Sequence, residues 1–303
     1  TIDFKQLVEA VGDAVMAADA SGATTLWNPA CERIFGHTEA EALGQSLDPS
    51  LLSDARPSDW RNAAFAGSSV LEAARLLSRA GDRTLAKRFF LHLAESLNAT
   101  ELDQLADLAL QMDEPHIALV IAKQAAERGV ILPRAYYPVP AFVPGDGLPV
   151  SRALALAISR RESEFDPAAR SAADARGLMQ VLPSTAKLVA PEVGLSYDVS
   201  KLNDPTYNVR IGTGYLADLI DQFGPSVALV AAGYNAGPGR PKRWIGLFGD
   251  PRDPNVDVID WVEMIPFTET RTYVMRVTES LIIYRAKLRG SVGPVDVTGE
   301  LRG

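Results

Sequence analysis

A mainly α fold is what this 303-residue chain predicts, with a small α+β segment at its start. Three observations carry that reading. Apolar residues recur at the three-to-four-residue period of one helical face after Leu154 and again after Thr268. Helical segments between Trp60 and Arg128 echo each other with a period of about 32 residues. Near the start, Asp19-Ala20-Ser21-Gly22 forms a turn signal between two short apolar runs, the pattern of a hairpin.

Composition narrows the function. At about 150 residues per domain, this length predicts two or three units, and a hydrophobic fraction of 47% is ample for their cores. The formal charge of −8 and a pI near 5.0 argue against a nucleic-acid binder or a polybasic membrane-surface protein, both of which need a basic footprint. The single cysteine, Cys31, excludes an internal disulfide framework and a cysteine-based zinc site. His37, His92 and His116 lie far apart, without metal-ligand spacing, and no metal or cofactor is expected. No apolar run reaches the roughly 18 residues of a membrane span, and no charged, apolar, small-residue leader opens the chain.

Taken in order, the chain starts with a short helix from Asp3 to Val11 and then the hairpin. Asn28-Pro29 reads as an N-cap and first helical position, Thr38-Glu39-Ala40-Glu41 as a capping box, and Gly44 as a helix stop. Residues 13–47, DAVMAADASGATTLWNPACERIFGHTEAEALGQSL, resemble the first half of a PAS sensor domain. The later strands that would close such a sheet are not evident. Residues 1–55 are therefore expected to be a partial PAS-like segment, with an open sheet edge able to pair with another chain.

Residues 56–147 are expected to form helical hairpins and a linker. Ala74, Leu76, Leu85, Ala86, Phe89 and Leu93 recur as Ala106, Leu108, Ile117, Ala118, Ile121 and Ala125, the mark of an α-solenoid unit. Gly81-Asp82 and Asp113-Glu114-Pro115 mark the turns. A proline-rich crossing from Leu132-Pro133 to Pro144-Gly145 follows.

Residues 148–290 form the expected third unit, and 291–303 a disordered tail. Its first helix ends near Phe165, before Asp166-Pro167. A second opens at Asp204-Pro205, and an apolar one from Val227 to Ala232 runs into GYNAGPGR. The last starts near Thr268, with Val274, Val277, Leu281, Tyr284 and Leu288 on one stripe. In the first helix Ala155, Ile158, Glu162 and Phe165 are spaced i, i+3, i+7 and i+10, so a carboxylate occupies a core position. Glu164 lies about 200° round the helix, at roughly 100° per residue, and cannot form a catalytic pair with it. Held among apolar neighbours, Glu162 would have a pKa above its usual value of about 4.3, as a general acid near neutral pH requires. The alternative is a solvated Glu162, or one paired with Arg160, Arg161 or a distant arginine.

Four segments then stand out: Arg161-Glu162-Ser163, Gly177-Leu178-Met179-Gln180, Gly233-Tyr234-Asn235-Ala236-Gly237, and Glu263-Met264-Ile265-Pro266-Phe267 with Glu269-Thr270-Arg271-x-Tyr273. Their order and spacing resemble the catalytic domain of the soluble lytic transglycosylases, whose fold is goose-type lysozyme-like. The resemblance implies that Glu162 is the single catalytic acid/base of an enzyme cleaving the MurNAc-GlcNAc β-1,4 bond of peptidoglycan without water, leaving 1,6-anhydro ends. It also implies substrate contacts at Ser163, Met179, Gln180, Tyr234, Asn235 and Glu263. Met179 suits packing better than contact, Tyr234 suits aiming its hydroxyl at Glu162 or the substrate acetamido group, and Glu263 suits an ion pair with Arg271 as well as it suits substrate. The expected partners are peptidoglycan glycan strands, with no nucleic acid and no transmembrane segment, in the periplasm or cell envelope. Gly233, where the family often has Ala, and Leu182, where Met is frequent, are small departures. Two other readings share these residues: a lysozyme-type hydrolase, and a PAS-based signalling protein whose third unit only binds glycan.

Overall fold

The structure, a computed structural model, describes residues 16–18, 24–27, 53–291 and 295–303. The expected helix from Asp3 to Val11, the caps at Asn28 and Thr38, the stop at Gly44, Cys31 and His37 lie outside these residues. Packing divides the chain into two units. One holds the described residues up to Pro140 with Gly290–Val295, and the other holds Ala141–Arg289 with Asp296–Gly303.

The first unit opens with the predicted hairpin. Strand β1 (Met16–Ala18) pairs antiparallel with β2 (Thr24–Trp27), Met16 opposite Trp27, with an irregularity after Ala17. Two short 3-10 turns, Trp60–Asn62 and Ala64–Gly67, lead into helices α1 (Ser69–Arg79), α2 (Arg83–Ala94), α3 (Ala99–Gln111), α4 (Pro115–Ala126) and the single turn α5 (Pro133–Tyr136). Local chemistry sets each start. Ser68 and Asp82 accept from the backbone N–H groups of Val70 and Leu85, and Asn98 and Glu101 form a reciprocal capping box. Helices α1 and α2 pack as one pair, α3 and α4 as the next, with Phe90, Leu102, Leu105, Ile117 and Ile121 buried between them.

The repeat holds unevenly. Ala74 and Ala106, like Ala86 and Ala118, are fully buried. Leu108 and Ile117 are 3% and 1% exposed, whereas their counterparts Leu76 and Leu85 are 56% and 38% exposed. The second pair packs against α2, while Leu76 and Leu85 line a shallow apolar depression with Ala73, Leu77, Ala80 and Phe89. Among the described residues only the later pair has a neighbour on that face, and side chains of equal apolarity differ in burial accordingly.

The second unit is built round α6 (Arg152–Ser163). Ser151 caps it by accepting from the Leu154 N–H, and residues Ala153 to Ser159 are all buried. The helix ends at Ser163 rather than near Phe165: Glu164 and Phe165 both take left-handed backbone, with φ of 53° and 65°. Each such residue costs roughly 1 to 2 kcal/mol. Complete burial of the Phe165 ring, a contribution of about 2 kcal/mol, offsets most of that cost for one of them. Phe165 therefore reaches the core through a turn, not through helical periodicity.

Next come α7 (Pro183–Glu192), α8 (Pro205–Phe223), α9 (Val227–Ala236), α10 (Gly239–Phe248), α11 (Val258–Glu263) and α12 (Thr268–Arg289). Asp204, Ser226 and Asp257 supply side-chain caps for α8, α9 and α11. Helix α9 is buried at every position from Val227 to Gly233, and α12 packs along both α6 and α9. On α12, Val274, Val277, Leu281 and Tyr284 are buried, but Leu288 is 40% exposed because the stripe outruns its partners near the helix end.

The expected disordered tail is corrected by the last element, α13 (Val297–Arg302). Asp296 caps it by accepting from the Gly299 N–H, and α13 packs against α9. Leu301 is buried, Ser226 Oγ donates to the Leu301 carbonyl at 2.7 Å, and Arg302 donates to the Val256 carbonyl at 2.9 Å. One apolar side chain and a good N-cap hold a short segment that composition alone marks as loose.

Candidate active site

Glu162 sits in the last turn of α6, half-buried, on the same side as the fully buried Ala155 and Ile158. Its Oε1 accepts a 2.6 Å hydrogen bond from the Tyr273 hydroxyl, delivered from the second turn of α12. Arg161 lies over the Tyr273 ring, 5.7 Å from its centroid. Burial pushes the Glu162 carboxyl up to about 7; the Tyr273 bond and Arg161 pull it down, and the nearby Glu269 carboxylate raises it. Burial also holds the phenols of Tyr234 and Tyr273 well above their ordinary range, helped by the Glu162 charge, so both stay protonated donors.

The loop carrying Gly177 to Gln180 is built against α6 and α8. Gly177 has φ of 73°, and a Cβ there would meet the Leu202 carbonyl at 2.3 Å and the Asn208 side chain at 2.5 Å. Asn208, fully buried on α8, accepts from the Met179 N–H and donates to the carbonyls of Arg176 and Leu202, each at 2.8 Å. Its amide is satisfied three times over, which fixes the loop in one conformation. Two isolated bridges, Arg170 to Arg176 and Arg176 to Val181, tie the ends of the loop together.

The sequence-selected residues lie round this frame. Ser163 Oγ donates to the Leu178 carbonyl at 2.7 Å, lashing the end of α6 to the loop. Gln180 takes a left-handed backbone, φ 46°, and its Nε2 donates to the carbonyls of Ala169 and Gly177. The Met179 side chain has no exposure and presses on Gly212, where a Cβ would come within 2.6 Å of its sulfur. Tyr234 does not point its hydroxyl at Glu162: it donates to the Met179 carbonyl at 2.8 Å, with its ring 5.4 Å from that of Tyr215. Asn235 Oδ1 accepts from the buried Thr270 hydroxyl at 2.6 Å. Glu263 is exposed; Arg271 Nε stands 3.8 Å from its carboxylate and Nη1 donates to its main-chain carbonyl at 3.0 Å.

The ends of α6 and α9, the start of α12 and the 177–180 loop are therefore cross-tied by hydrogen bonds, with Glu162 the half-buried acid bonded into them. Sequence reasoning gave no role to Tyr273 or Asn208. Both are polar residues on apolar helix faces, and that mismatch was the available signal.

Comparison with known proteins finds two families along the chain. Residues 145–256 match the transglycosylase SLT domain, and residues 2–68 the PAS fold. The soluble lytic murein transglycosylase of Escherichia coli (strain K12) is 32% identical over 252 residues, 81% of this chain and 38% of its own length. The crystal structure of the 70 kDa soluble lytic transglycosylase from Escherichia coli superposes with a TM-score of 0.68 at 29% identity, over 80% of this chain and 39% of that one. A 70 kDa soluble lytic transglycosylase in complex with bulgecin A gives 0.69 at 27% identity, over 81% and 40%. This chain thus spans about two fifths of the length of these relatives. Within the PAS match the described residues hold one hairpin followed by 3-10 turns. Behind that PAS-like start, the chain matches the transglycosylase SLT domain and is similar to the soluble lytic transglycosylases.

Proposed function

We propose that the second unit is a peptidoglycan lytic transglycosylase acting through Glu162. The observation that carries this reading is a carboxyl whose burial raises it to about 7, fixed by Tyr273 at the meeting of α6, α9, α12 and the 177–180 loop. A group titrating there is protonated often enough to act as an acid and ionised often enough to act as a base. Glu162 gives its proton to the glycosidic oxygen as the MurNAc-GlcNAc β-1,4 bond breaks. The substrate 2-acetamido group meets the developing cation, and the C6 hydroxyl then attacks while Glu162 takes its proton, leaving a 1,6-anhydro end. Ser163, Gln180, Tyr234 and Asn235 shape and hold the cleft, and the partly exposed Gln180 and Asn235 meet sugar. Glu263 lies at the rim. Peptidoglycan as substrate places the protein in the cell envelope; among the described residues no helix is long and apolar enough to cross a membrane.

The exposed Glu269, whose charge reaches Glu162, favours one other reading: a muramidase in which a second carboxylate helps water attack. Mass spectrometry of products from purified sacculi separates the two. Anhydro-muramic ends support the lyase, and reducing ends alone replace it with the hydrolase. In the same assay Glu162→Gln should lose at least about three orders of magnitude, since one residue supplies acid and base help worth about 10² to 10⁴ in rate. Glu164→Gln, beyond the helix end, should stay within a few fold; equal losses in both variants would sink the assignment.

A further inference from the structure

The Tyr273 hydroxyl is 2.6 Å from one oxygen of Glu162, and its ring is buried, 2% exposed, with the Arg161 guanidinium over one face. A phenol has one proton to give. Given to Oε1, it leaves Oε2 as the oxygen on which the acid's own proton can sit. We propose that Tyr273 is a positioning residue that pins Glu162 by Oε1, so that proton delivery and proton return both pass through Oε2. The inference rests on the transglycosylase reading for its chemistry, but not for its geometry.

The Oε2–H bond breaks and that proton goes to the glycosidic oxygen, leaving a carboxylate; Oε2 later takes the proton of the C6 hydroxyl. Tyr273 keeps its own proton throughout, as burial beside the Glu162 charge requires. Its hydrogen bond strengthens when Glu162 becomes charged, so it favours the state reached once the leaving sugar is protonated. Among the described residues, the other charged or titratable groups facing Glu162 are Arg161 on its own helix, Tyr234 on α9 and Glu269 on α12. The hydroxyl of Tyr234 is committed to the Met179 carbonyl. Without Tyr273 the carboxyl is free to turn, and either oxygen can carry the proton.

Tyr273→Phe removes the hydroxyl and keeps the ring under Arg161. Infrared difference titration of the Glu162 carboxyl, using Glu162→Gln to assign the band, needs no substrate. The carboxyl should titrate about one pH unit higher in Tyr273→Phe than in the parent chain. An unmoved titration overturns the proposal. On isolated peptidoglycan strands, kcat should fall about 10- to 100-fold with KM within about 3-fold, as a misplaced acid implies, and the alkaline limb of the pH profile should move up. A lower kcat with an unmoved limb and a lowered melting temperature marks a merely structural tyrosine and also overturns it. Should the parent chain leave peptidoglycan uncut while the carboxyl titration moves, the transglycosylase reading falls and the positioning role stands.

Discussion

At Glu162 burial and hydrogen bonding pull in opposite directions, and burial wins: a carboxyl ordinarily at 4.5 is raised to about 7 despite the Tyr273 bond and Arg161. The folded protein therefore keeps a proton that the unfolded chain releases, and folding is favoured most below the unfolded value. As pH climbs from about 4.5 to about 7 that advantage is lost, up to roughly 3 kcal/mol once the carboxyl ionises in place. Glu162→Gln has no proton to lose. Calorimetry at pH 8 should find this variant several degrees more stable than the parent, with the gap nearly closed at pH 5. Parallel melting curves at both pH values would mean that Glu162 is better solvated than its surroundings indicate. The raised acid was readable in the sequence, since a glutamate on an apolar helix face is carried out of water along with its neighbours. Its partner was not, because Tyr273 lies 111 residues away in the chain and periodicity carries no information about which helix lies opposite.

Helix starts were legible: α8 opens at Asp204-Pro205, α9 at Val227 and α12 at Thr268, as the sequence pattern predicts. Ends were harder. Helix α6 stops when Glu164 and Phe165 turn left-handed, a conformation their side chains do not favour and only the tertiary fold enforces. The 177–180 loop shows the same dependence on distant partners, since its shape is imposed by Asn208 on α8. Asn208→Ala would strand the Met179 N–H and the Leu202 carbonyl, and would leave the Arg176 carbonyl with only its bond from the Val181 N–H. A loss of about 2 to 4 kcal/mol is expected in denaturant unfolding, with activity falling at temperatures where the fold survives. Asn208→Asp should also be poor, because a carboxylate cannot donate to those two carbonyls. Wild-type stability in the alanine variant would show that water replaces all three bonds.

Across the first unit, sequence repetition overstated structural repetition. Leu108→Ala in the buried copy should cost about 2 to 4 kcal/mol, whereas Leu76→Ala at the equivalent open position should cost under about 1 kcal/mol; urea midpoints of the two variants make the comparison. A pattern read from one chain cannot say which copy has a neighbour.

In the second unit, the segment Asp296–Gly303 is a clasp on α9. The buried Ser226 that caps this helix at the Leu229 N–H also gives its hydroxyl proton to Leu301. The far end of the same helix presents Tyr234 and Asn235. Amide protons in the first turn of α9 should therefore exchange with deuterated water at a rate set by how often the chain end lifts away. Removing those last residues would speed that exchange, and any loosening that travels along α9 would reach the cleft from its back.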